Sequence, residues 1–192
     1  MWNEDEIIKY LEKNLNNHRY IHSLNVSKTA MKLAELNGAD VNKAKIAGLI
    51  HDCAKKLSDQ ELLDIFKSSN IKVDAVSMNS PQLLHGWAAA IIAKGTMGID
   101  DYEILSAVKY HTTGKKDMSL LEKIIYIADY IEPGRDFPGV DELRKITFEN
   151  LDEGLLMAFN STIKYVIEKN QLIHLDTIEG RNFLLIKSFF PL

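Results

Sequence analysis

The sequence predicts an all-α fold, a single-domain helical bundle over residues 1–192. Three observations carry this expectation. Apolar residues recur at intervals of three and four rather than two, which is the period of a helix. Only 4 prolines interrupt the chain, and 192 residues are enough to bury one core without disulfide or metal staples. A hydrophobic fraction of 46% with 26% charged residues is that of a folded chain, not a disordered one.

The periodicity places helices near 4–16, 19–37, 41–56, 59–69, 80–95, 101–111, 119–132, 140–150, 152–170 and 177–189. In the second, His22, Val26, Thr29 and Leu33 form one inward stripe, and Gly38 after Asn37 supplies a C-cap. Ala44, Ala47 and Ile50 set the buried side of the third, with His51 and Asp52 at its end. Ser58 with Glu61 opens the fourth as a capping box, and Ser119 with Glu122 repeats the signature. Leu121, Ile125 and Asp129 then follow four apart, so Asp129 projects from an apolar face. The Pro/Gly-bounded segment 133–139 reads as a defined loop rather than a hinge. Leu155, Leu156, Phe159, Ile163 and Val166 read as core and as a candidate homodimer seam.

A net charge of -4 argues against a nucleic-acid coat, which needs a basic face. The single cysteine, Cys53, excludes an intrachain disulfide and reads as a small buried hydrophobe. The acidic start lacks the order of a signal peptide, and no apolar run approaches the ~18 residues of a membrane span. A cytoplasmic chain with neither nucleic-acid nor membrane partners is expected.

Polar residues on apolar faces point to chemistry. His22, His51, His85 and His111 lie among aliphatic residues, as do Asp52 and Asp129. A lone inward histidine is ordinarily a hydrogen-bonded core residue. A buried carboxylate is harder to satisfy, costing several kcal/mol unless it meets a cation. Taken together, these nitrogen and oxygen donors suit a divalent ion such as iron, manganese or zinc. Lys55, one helical turn beyond His51, brings an ammonium to the same face, and Arg135 offers a planar fork for phosphate oxygens. His18 shares the stripe of His22 and reads as a substrate group, a support for the ligands or a surface cap.

His22, the pair His51-Asp52 and a distant Asp129 on a helical scaffold resemble the HD superfamily of metal-dependent phosphohydrolases. The segments 18–23, 51–55, 110–114 and above all 128–140 resemble its YqeK branch, and the likeness covers almost the whole chain. That resemblance implies an HD-type bundle that hydrolyses dinucleoside polyphosphates symmetrically, diadenosine tetraphosphate and water giving two ADP. It implies that His22, His51, Asp52 and Asp129 hold iron. His85 and His111 would contact the phosphates or complete a second metal site, with Asp52 bridging. Asp52 and Lys55 are the expected catalytic residues, and Asn25, Lys55, Thr112 and Arg135 match nucleotide-contacting positions. The segment 170–177, with His174 and Thr177, matches a nucleoside-facing stretch, although the branch carries an aromatic and a proline where this chain has His174 and Leu175. Two other readings use the same ligands: an HD nucleotidase or alarmone hydrolase acting on a mononucleotide, and a nucleotide sensor without turnover.

Overall fold

Side-chain caps start most of the helices in the computed structural model, which describes residues 1–189. Asn3 caps α1 (Glu4–Asn14), Asn16 caps α2 (Asn17–Asn37) and Asp40 caps α3 (Val41–Ile50). Ser58 opens α4 (Asp59–Ser68) through the expected box with Glu61, and Asp74 caps the short α5 (Ala75–Asn79). A 3-10 turn over Pro81–Leu84 leads into α6 (His85–Gly95), and Asp101 caps α7 (Tyr102–Tyr110). Ser119 and Glu122 box the start of α8 (Leu120–Ile131). Then come α9 (Val140–Glu149), α10 (Leu151–Glu168) and α11 (Leu175–Phe189). Each cap offers an acceptor to amides that have no partner in the first turn. Among the described residues there is no strand.

At the centre, α2 packs on α3 and α8, while α7 packs on α3, α6 and α8. The outer layer is α9, α10 and α11, with α10 lying on α8. Gly48 permits the close approach of α2 and α3, because a Cβ there would meet the Ser27 Cα at 2.7 Å. Leu155 and Phe159 are fully buried, and Phe159 stacks 4.7 Å from Tyr126, so these two residues serve the core.

The structure differs from the periodicity in three places. The third helix stops at Ile50 rather than running to 56, and consecutive tight turns follow (Cys53 N to Ile50 O, Lys55 N to Asp52 O, Leu57 N to Ala54 O). The helix expected over 80–95 is a 3-10 turn joined to α6, because Pro81 has no amide to donate and fixes its own φ. The expected pattern omitted α5, whose five residues are too short to display a period.

Candidate metal centre

The tight turns after α3 decide the geometry of the site. Adjacent residues of a regular helix point ~100° apart. The turns let His51 and Asp52 both face inward, where both are almost completely buried. They also place Lys55 beyond the end of α3. It still reaches the site from the turn, with Nζ 3.2 Å from His85 Nε2. A second close approach brings the other pair of histidines together. At Gly86 a Cβ would lie 2.8 Å from the Lys109 carbonyl, so the bare backbone of α6 settles on α7. His85 and His111 then meet with their Nε2 atoms 2.9 Å apart.

One hydrogen-bond arrangement orients the four rings. His51 Nδ1 donates to Gly48 O (2.8 Å), His85 Nδ1 to Gln82 O (2.6 Å) and His111 Nδ1 to Val108 O (2.7 Å). His22 Nδ1 donates to Glu132 Oε1 at 3.1 Å. A carbonyl only accepts, so the proton of each neutral ring resides on Nδ1 and the lone pair on Nε2. The Nε2 atoms of His22 and His51 face each other at 3.3 Å. Facing lone pairs beside two carboxylates are what a divalent cation fits, and nitrogen with oxygen is the donor set such ions take. Two overlapping triads result, His22–His51–Asp129 and His51–Asp52–His111, each with ligand atoms within 4.8 Å of one another.

Burial and charge act in opposite directions here. Burial pushes His51 down to about 4, and it also lowers His85. At His22 burial is outweighed by Asp129, 3.0 Å from Nε2, and by Glu132, so its pKa is raised. Burial would raise both aspartates, yet the surrounding imidazoles, with Arg135 at Asp129, hold them well below the usual carboxylate range. Arg19 Nη1 donates to Asp52 Oδ2 at 2.9 Å, and Arg135 Nε donates to the Asp129 carbonyl at 2.8 Å while Nη2 reaches its carboxylate. Thr112 Oγ1 lies 3.3 Å from His85 Nε2 and 3.2 Å from His111 Nε2.

The other expected residues are placed less directly. Asn25 donates to Glu132 Oε2 at 3.0 Å from the edge of the centre. His174 sits 3.3 Å from Asp74 and lines a cavity of about 300 Å³ with Trp87 and Thr113, while His18 is exposed beside another cavity. Thr177 is buried and donates to the Thr113 carbonyl at 2.9 Å, outside the lining of the His174 cavity. Arg19 and Glu132 were not among the expected site residues. Their signal was one of spacing: Arg19 precedes His22 by three on α2, and Glu132 follows Asp129 by three.

The sequence profile described as HD domain matches residues 19–134, which include all six inward histidines and aspartates. The chain belongs to the HD domain family. Within that family it belongs with proteins named bis(5'-nucleosyl)-tetraphosphatase, symmetrical. The Bacillus subtilis protein of that name is 40% identical over 95% of this chain and 98% of its own length. The Staphylococcus aureus protein is 37% identical over 94% of each. A crystal structure from Clostridium acetobutylicum, described as a predicted HD superfamily hydrolase involved in NAD metabolism, superposes with a TM-score of 0.96 at 51% identity. It covers 97% of this HD chain and 99% of its own. HD domains bind divalent metals, and the histidine and aspartate cluster of this member is built to do so. No helix among the described residues is long and apolar enough to cross a membrane.

Proposed function

We propose that this chain hydrolyses diadenosine tetraphosphate symmetrically. One water adds to an inner phosphorus, the central P–O–P bridge breaks, and two ADP leave. The observation that carries the reading is the set of Nε2 lone pairs turned toward one another between Asp52 and Asp129. The names of the full-length relatives support the substrate.

His22, His51 and Asp129 would hold one ion, and Asp52 would bridge to a second completed by His111 and His85. Iron suits this mixed imidazole and carboxylate set. When bound, such an ion lowers the pKa of a water towards ~7 and acts as a Lewis acid on a phosphoryl oxygen. The chain's own residues provide the rest. Arg19 and Arg135 each contact a carboxylate that would hold metal, so their guanidinium forks stand where they could receive phosphate oxygens. Lys55 is half-buried beside His85, and burial lowers its pKa, so its ammonium gains most from an anion placed against it. Thr112, next to both imidazoles, can donate its hydroxyl to a phosphate oxygen. We read the chain as cytoplasmic, with a small-molecule substrate and no nucleic-acid or membrane partner.

The test is anaerobic purification with metal quantification, followed by identification of products from diadenosine tetraphosphate. Iron in the protein and ADP as sole product are expected. ATP with AMP, or turnover of mononucleotides only, would overturn the symmetrical reading. Tight nucleotide binding without turnover would make the protein a sensor.

A further inference from the structure

The substrate proposed above has two identical nucleoside ends and is cut at its middle. A centre acting at that bond needs room for a nucleoside on each side. Successive contacts order the groups here as Arg135, Asp129, His22, His51, Asp52, His85 and Thr112. The cavity that includes His174 adjoins the far end of that series, being lined by Leu84 and Thr113, the chain neighbours of His85 and Thr112. At the Arg135 end lies a second cavity of about 630 Å³, within the roughly 300–1,000 Å³ range of small-molecule pockets.

We propose that this second cavity, between the start of α2 and the loop after α8, is the half-site for the other nucleoside. Its walls have the chemistry of such a ligand. Ile21 is 46% exposed although it is apolar and directly precedes a buried ligand. Phe137 faces the same space and is braced edge-on by Tyr130, with ring centroids 5.4 Å apart at 86°. An aliphatic wall and a braced aromatic ring suit the two faces of a base. Asn17 and His18 offer polar atoms at its edge, and the α2 cap does not use them, because the capping side chain is that of Asn16. Both signs of charge line the cavity. Arg135 reaches Asp129 on the side of the centre, where phosphate would lie, and Asp136 adds a carboxylate able to accept from ribose hydroxyls and unsuited to phosphate. Loops between Pro133 and Gly139 therefore shape a pocket as well as holding Arg135.

The inference rests on the proposed symmetrical activity, and the experiment separates the two. Wild type, Phe137→Ala and Ile21→Glu are compared on diadenosine tetraphosphate and on adenosine 5'-tetraphosphate, which carries one nucleoside and the same central bond. Ile21 is exposed on α2, so its replacement keeps the test valid if Phe137→Ala disturbs the loop. In both variants the ratio of kcat/KM for the dinucleotide to that for the mononucleotide should fall about tenfold, the scale of losing one base-stacking contact. Calorimetry with a methylene-bridged, uncleavable dinucleoside tetraphosphate should show an affinity loss of about the same size. An unchanged ratio and unchanged analogue affinity in both variants, with wild type still releasing two ADP, would overturn the second half-site alone. A wild type that gives no ADP from the dinucleotide would overturn the proposed function, and the half-site with it.

Discussion

Glu132 Oε1 lies 3.1 Å from His22 Nδ1, and the other oxygen of the same carboxylate accepts from Asn25 Nδ2 (3.0 Å) and from the Gly134 amide (2.6 Å). Three donors, two from α2 and one from the loop after α8, thus converge on one buried carboxylate. Burial alone would raise its pKa, but these donors lower it, so it stays charged and holds the His22 proton on Nδ1. Glu132 therefore aims the His22 lone pair at the centre.

Glu132→Gln keeps the shape and removes the charge. Metal affinity should fall about 10- to 100-fold, the usual effect of losing a carboxylate behind a ligating histidine. Competition with a chelator of known strength, with circular dichroism to confirm folding, measures it. Wild-type affinity in the variant would reduce Glu132 to a packing residue.

Asp52 joins more of the site than any other group. Its Oδ1 is 3.1 Å from His85 and 3.7 Å from His111, while Oδ2 is 2.9 Å from Arg19. Asp52→Ala should lose bound metal and lower turnover by roughly a thousandfold or more, since each catalytic effect of a metal is worth several kcal/mol. Metal analysis and single-turnover rates on one preparation check both. A variant that keeps its metal and a tenth of its rate would contradict the assignment.

The inward polar residues were legible in the sequence because their periodic neighbours were plainly apolar. Asp129 four after Ile125, and His22 four before Val26, needed no more than a helical period. The capping boxes at Ser58 and Ser119 and the left-handed Gly38 at φ 72° were equally local, and they formed as read. The turns that bring His51 and Asp52 to one point were not legible, because a helix end leaves no period to read. Arg19 and Glu132 escaped notice for a different reason. Each is an ordinary charged residue on a helix or at its end, and only the fold supplies the partner that gives it a role.

Cys53 tests whether the turn is as closed as its burial implies. The thiol is 5% exposed, its S–H points at the Ala89 carbonyl, and burial with the nearby Asp52 charge pushes its pKa up to about 12. Since the thiolate is the reactive form, native protein at pH 8 should resist a thiol reagent and react fully once denatured. Raising the pH to 9 should leave the native rate far below that of an exposed cysteine, which titrates near ~8.5. Labelling at the rate of free cysteine would show that the turn opens readily.

Arg135 is held by groups of its own site: Nε donates to the Asp129 carbonyl at 2.8 Å, Nη2 meets the Asp129 carboxylate, and the Arg135 carbonyl accepts from Arg144 at 2.6 Å. The backbone of the loop is therefore fixed by Arg144 and by its prolines and glycines, independently of the guanidinium. Arg135→Lys should not behave as a conservative change, because an ammonium cannot give two parallel donors to one phosphate. Contacts that strengthen as charge spreads in the transition state appear in kcat, and uniform substrate contacts appear in KM. Arg135 touches a carboxylate proposed to hold metal and also lines the cavity beyond it, so both constants should worsen, with kcat/KM down roughly 10- to 1,000-fold. Metal content should stay near that of wild type, since Asp129 keeps its contact with His22. Steady-state kinetics of Arg135→Lys and Arg135→Ala, with metal quantified in each sample, decide the matter. Wild-type kcat/KM in both variants would make Arg135 only a counter-ion of Asp129, and would leave the phosphates to Arg19 and Lys55.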